Sequence, residues 1–171
     1  MGRGILVAGV GNIFLGDDGF GVEVVRQFAQ RPQPPQVTVA DFGIRGFDLA
    51  FAILDGYDTT ILVDALAHGG QPGTLYVLEP RLDSDTPLPA GVEGHGLDPA
   101  CVLQLVRALG GEPGDLRVLG CEPATFGPEG EGQMGLSAPL QAAIKPALTM
   151  LEDLIGELCQ EVETDGNPTS A

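Results

Sequence analysis

Four side chains in this sequence join a reactive type to a place where chemistry is done: Asp17, Asp18, Asp64 and His95. The first two stand side by side near the end of a glycine-rich turn, Gly9-Val10-Gly11-Asn12-Ile13-Phe14-Leu15-Gly16-Asp17-Asp18-Gly19. One acid is enough to cap a helix and meet its dipole. A second is more than capping needs, so at least one is expected to face a ligand. Asp64 ends the apolar run Ile61-Leu62-Val63, where a carboxylate is costly to bury unless it is paired or ligated. A cap or a hydrogen-bonded turn is its plain structural reading. His95 lies between Gly94 and Gly96, just ahead of Asp98-Pro99, a helix-entry signal. The other histidine, His68, leads directly into Gly69-Gly70-Gln71-Pro72-Gly73 and reads as a surface turn residue. Two carboxylates and one imidazole supply three metal ligands and leave coordination positions open for substrate or water. Their intermediate softness suits nickel or zinc better than calcium.

The same turn invites a nucleotide reading. Gly9 and Gly11 begin like a dinucleotide fingerprint, and Asp41 sits where a ribose-binding acid would. The third glycine is displaced, because position 14 is Phe14, and no Lys or Arg lies in the turn. Two unit charges about 4 Å apart repel by roughly 4 kcal/mol at an effective dielectric of about 20. A helix N-terminus returns only about 1 kcal/mol to an anion. Repulsion wins, so the sequence predicts no bound nucleotide.

Composition agrees. Eight basic against 24 acidic residues give a net charge of −16, which makes nucleic acid and anionic membranes poor partners. No apolar run approaches the roughly 18 residues of a transmembrane helix, and the N-terminus reads as a first strand, not a signal peptide. Cys101, Cys121 and Cys159 stand far apart and are odd in number, which predicts free thiols in a reducing cytoplasm.

These residues need a scaffold that unites them. Buried strands are expected at 5–10, 37–41, 59–66, 73–79 and 115–121. Helices are expected from about Gly19 to a stop at Arg31-Pro32, around Phe47 to Leu54, from Pro99 to Leu109, and from Ser137 onward. Phe47, Ala50, Phe51 and Leu54 recur at helical spacing in the second, and Pro146 lies inside the apolar stripe of the last, so that helix is expected either to kink or to begin there. The alternation predicts one three-layer α/β/α domain over residues 1–160 with a mostly parallel five-stranded sheet. Residues 161–171 are expected to form a disordered acidic tail. In such sheets ligands bind outside the carboxyl ends of the strands. The loops at 80–96 and 122–136 are long enough to be functional.

Several motifs together resemble the hydrogenase maturation protease family. The similarity runs from Ile5 to about Leu158. Its most specific part is GVGNIFLGDDGFG (9–21); DFGIRG (41–46), ILVDAL (61–66) and GHGLDP (94–99) resemble the later motifs. Gly120, Pro123 and Gly135-Leu136-Ser137 resemble the family's last loop and helix start. The resemblance implies an endopeptidase that removes a C-terminal extension from the large-subunit precursor of nickel–iron hydrogenase after nickel insertion. Asp18, Asp64 and His95 would contact that nickel, which the precursor brings. Two departures stand out: Asp18 is one methylene shorter than the Glu frequent in the family, and Phe42 and Ile44-Arg45 replace the usual Gly and Thr. The resemblance does not identify the general base, for which Asp17 is a candidate by proximity alone. A cytoplasmic monomer is the default expectation. The competing readings are a small α/β nucleotide- or metabolite-binding protein and a non-catalytic nickel chaperone.

Overall fold

The computed structural model describes residues 4–80 and 98–165. Five strands, β1 (Ile5–Val10), β2 (Val37–Gly43), β3 (Thr59–Ala65), β4 (Leu75–Leu78) and β5 (Asp115–Cys121), form one sheet in the order β2-β1-β3-β5-β4. All neighbours are parallel except β4, which runs antiparallel to β5 on the edge. The helices are α1 (Phe20–Phe28), α2 (Gly46–Leu54), α3 (Pro99–Ala108) and α4 (Ala138–Asp165), with a 3-10 turn at Gly16–Gly19 leading into α1.

Strand periodicity explains the layering. Successive side chains of β1 and β3 point to opposite faces, and both strands are buried on both. Ile5, Val7, Ile61 and Val63 pack with α1 and α4 on one face, while Leu6, Ala8, Val10 and Leu62 pack with α2 and α3 on the other. The expected three-layer α/β/α domain is therefore present, as one mostly parallel five-stranded sheet between two helical layers.

The differences from expectation are local. β2 continues to Gly43, whose φ of 54° lets the chain turn away. β4 starts at Leu75 because a turn absorbs Gly73 and Thr74, with Thr74 Oγ1 donating to the Gln71 carbonyl at 2.7 Å. In α2 the buried face is Leu49, Ala50 and Ile53, leaving Phe47 and Phe51 outside. In α3 Asp98 caps as expected, accepting from the Ala100 amide at 3.0 Å with Pro99 in the first turn. Helix α4 passes through Pro146 unbroken. Ala142 and Pro146 are both exposed, so the carbonyl that loses its donor faces water. The helix also runs on to Asp165, five residues past the expected boundary at 160; residues 166–171 lie outside the described residues. No described helix is long and apolar enough to cross a membrane.

Candidate active site

The first turn carries adjacent acids to different surroundings. Asp17 is fully buried, and its carboxylate accepts four hydrogen bonds: from the amides of Ala124 (2.7 Å), Thr125 (3.0 Å) and Ser137 (2.7 Å), and from Ser137 Oγ (2.9 Å). Burial alone would raise its pKa, but the four donors outweigh it and hold the carboxyl below its ordinary value. Asp17 is thus a tie between the 3-10 turn and the loop before α4. With its oxygens occupied and its basicity lowered, it is unsuited to be the general base that proximity suggested. Ser137 stands at the entrance of α4 as expected, but its hydroxyl is spent on Asp17. The backbone reinforces the tie: Gly16 donates to the Gln133 carbonyl at 2.7 Å and Gln133 to that of Phe14 at 2.7 Å.

Asp18 points elsewhere. It is 6% exposed, and its Oδ2 accepts the Asn12 amide at 2.7 Å. Its carboxylate lines a cavity of about 240 Å³ that also receives Asp64 from the carboxyl end of β3. Leu15, Pro99 and Phe126 supply apolar walls, and Asp98 adds a third acid. Asp98 was legible in the sequence only as a helix cap. The position three residues after His95 was the available signal that it borders the same cleft.

Asp64 is 4% exposed, and its Oδ1 has no hydrogen-bond partner among the described residues. Burial pushes this carboxyl well above the usual carboxylate range; the nearby charge of Asp18 adds to the shift and that of Asp98 adds less, against a hydrogen bond from the Ala65 amide. A buried acceptor without a donor is expensive. This one faces a second carboxylate in a cavity, which is the donor set a cation satisfies. Among the described residues no group of three or more potential ligands is arranged to hold an ion. His95 lies outside the described residues, so the structure unites Asp18 and Asp64 and leaves the imidazole unassigned.

His68 occupies an exposed turn, as expected. Its amide donates to Glu122 Oε2 at 2.8 Å, and its ring meets Tyr76 edge-on at 5.1 Å. Glu122, which sequence reasoning passed over as loop, is buried and also accepts from the Gly69 amide and Tyr76 Oη. These donors keep its pKa below the ordinary value and pin the loop that follows Asp64. The described cysteines are free, as expected, and the buried Cys121 thiol is pushed up to about 12 by burial, with no nucleophilic character at neutral pH.

The glycines of the first turn serve packing. A Cβ on Gly21 would meet the carbonyl oxygen of Val63 at 1.9 Å, and one on Gly11 would meet that of Asp18 at 1.9 Å. Gly9 is likewise hemmed in by Gly21 and Val25. The Asn12 amide, which a phosphate would need, is taken by Asp18. Asp41, the would-be ribose acid, pairs with Arg26 Nε at 3.3 Å.

Known proteins share the sequence and the fold. Residues 22–154 match the family described as Hydrogenase maturation protease, HycI. Hydrogenase 2 maturation protease of Escherichia coli is 34% identical over 150 residues, covering 84% of this chain and 85% of that protein. The coenzyme F420 hydrogenase subunit delta of Methanothermobacter thermautotrophicus is 34% identical over 157 residues, covering 89% and 94%. Among solved structures, the hydrogenase maturating endopeptidase HybD from E. coli superposes with a TM-score of 0.70 at 31% identity, covering 90% of this chain and 93% of that one. The fold, the paired carboxylates at the sheet edge and these similarities converge: the chain belongs to the hydrogenase maturation protease family and is a peptidase.

Proposed function

We propose that this chain removes the C-terminal extension of a nickel–iron hydrogenase large-subunit precursor once that precursor carries nickel, and that Asp18, Asp64 and His95 read the metal. The observation that carries the proposal is the Asp64 carboxylate. It is buried, shares one cavity with Asp18, and keeps an oxygen without a donor among the described residues. Two carboxylates on one cavity fit a divalent ion presented by a substrate. They do not complete a shell by themselves, so the free protein holds metal weakly and the precursor's own ligands must supply the rest. His95 stands three positions before Asp98, a residue of the cavity wall, and the motif resemblance assigns its imidazole to the same set. When bound, the substrate's nickel would polarise the scissile carbonyl. The chain's own contribution is to hold Asp18 and Asp64 in place and to flank the extension with Leu15 and Phe126. Three free thiols suit a reducing cytoplasm, and the same reading takes the chain as a monomer.

The test is incubation of the purified protein with nickel-free and nickel-loaded precursor, followed by the mass of the large subunit. Only the nickel-loaded form should lose its extension. Asp18→Ala, Asp64→Ala and His95→Ala should each slow processing by roughly 100-fold or more, the equivalent of about 3 kcal/mol of lost transition-state stabilisation. His68→Ala should stay within about twofold, because its ring lies on an exposed turn. Equal cleavage of both precursor forms would remove the nickel reading and leave a peptidase. Cleavage of neither would defeat the assigned substrate.

A further inference from the structure

Helix α2 carries apolar side chains well beyond its buried face. Its sequence, Gly46-Phe47-Asp48-Leu49-Ala50-Phe51-Ala52-Ile53-Leu54, contains one charge, yet only Leu49, Ala50 and Ile53 are buried. Phe47 and Phe51, one turn apart, are 61% and 55% exposed. Large apolar side chains on the outer face of a helix call for cover beyond the core the helix already packs on. Phe47 lies in the first turn of α2, directly after the carboxyl end of β2, and exposed Ile44 lies between them. Gly43, next to Ile44, accepts the Gly11 amide at 2.9 Å, which joins this corner to the first turn. That turn carries exposed Phe14 next to Leu15, a wall of the cavity, and the half-exposed Phe126 forms another wall. Exposed apolar residues thus stand on the cavity wall (Phe126), the turn after β1 (Phe14), the link after β2 (Ile44) and α2 (Phe47, Phe51), an arc crossed by the exposed Arg45–Asp48 ion pair.

We infer that this arc, Phe126–Phe14–Ile44–Phe47–Phe51, is the surface on which the folded large-subunit precursor docks, an inference that rests on the substrate proposed above. A cavity of about 240 Å³ admits a short piece of the extension only. Specific protein recognition needs about 800 Å² from each partner, so most of the contact lies outside the cavity, and apolar patches of this kind mark such contacts. Continuity with the cavity makes the precursor the occupant. A second copy of the chain fits poorly. It would cover Phe126 on the cavity wall, and each copy brings a net charge of −16.

The probe is the nickel-free precursor, which binds without being processed if cleavage requires nickel. Its affinity is measured for the full-length protein, the double variant Phe47→Ser/Phe51→Ser, Ile44→Ser, and Leu109→Ser as an exposed apolar control outside the arc. The double variant should bind at least about tenfold more weakly at an unchanged melting temperature. Ile44→Ser, which leaves the helix intact, should weaken binding in the same direction, and Leu109→Ser should stay within about twofold. Equal affinity of wild type, the double variant and Ile44→Ser would overturn the surface, as would failure of wild type to bind. A wild-type dimer dissolved by the double variant would assign the arc to a second copy and overturn it too. Cleavage of the nickel-loaded precursor by wild type is read separately, so the peptidase reading stands or falls on its own result.

Discussion

Adjacent carboxylates in one turn show how far position outweighs residue type. Asp17 meets four donors and becomes a low-pKa tie between loops. Asp18 turns into a cavity and shares it with Asp64. Asp64 is the strained member: burial first, then the Asp18 charge, raises its pKa well above the ordinary value. The folded protein therefore binds a proton at Asp64 that the unfolded chain releases, so this group's contribution to stability declines as pH rises above the usual carboxylate range. Asn has the same shape and no charge. Asp64→Asn should therefore melt higher than wild type at pH 8, by roughly 2–5 °C, about 1 kcal/mol. The gain should shrink as pH falls and vanish below about pH 3, where Asp64 is protonated in the folded and the unfolded chain alike. Thermal melts across that range check it. Lower stability of the variant at pH 8 would mean that Asp64 is already satisfied in the free protein. The same substitution should abolish processing, the usual exchange of stability for a strained functional group.

At the scale of elements, the site depends on how closely α1 approaches the sheet. Gly21, in the first turn of α1, leaves no room for a Cβ against the carbonyls of Val63 and Val10. Val63 immediately precedes Asp64, and the 3-10 turn before α1 carries Asp18, so one helix–strand contact sets the spacing of both carboxylates. Gly21→Ala should cost about 3 kcal/mol through overpacking. What remains folded should process precursor poorly, because the helix must move outward and take the turn with it. Chemical denaturation gives the first quantity, and rates corrected for folded fraction give the second. A variant of wild-type stability would show that the helix slides without penalty. Helix α4 plays the opposite part. Its long apolar stripe tolerates Pro146, since the lost hydrogen bond lies on the wet side.

Across the whole molecule, charge decides which ligands are admissible. With a net charge of −16, and with Asp18 already holding the Asn12 amide, the glycine turn offers a phosphate neither field nor donors. Calorimetry with ATP, NAD or FAD at about millimolar concentration should show no saturable heat, since an affinity weaker than that is worth less than about 4 kcal/mol. Saturable binding would overturn the electrostatic argument. The same field favours metal-bearing and cationic surfaces at the sheet edge, consistent with a protein partner that presents a cation.

Apolar periodicity and glycine turns determined the strand order of events along the chain, the layered class and the candidate carboxylates, because each strand's burial on both faces is written as a continuous apolar run. The motif around Asp17 and Asp18 was legible too, but the division of labour between them was not. Hydrogen bonds to Asp17 come from residues more than a hundred positions away, and no local pattern encodes them. Asp98 looked like a cap and is one, yet the fold also sets it beside Asp64. Helical spacing named Phe47 and Phe51 as an apolar pair but could not say which side of α2 would meet the sheet. Direction of burial, and the meeting of Asp18 with Asp64 across 46 residues, follow from parallel crossovers that return each strand's carboxyl end to one edge. Sequence supplies residue types and local period; only tertiary structure sets which of them share a dielectric environment.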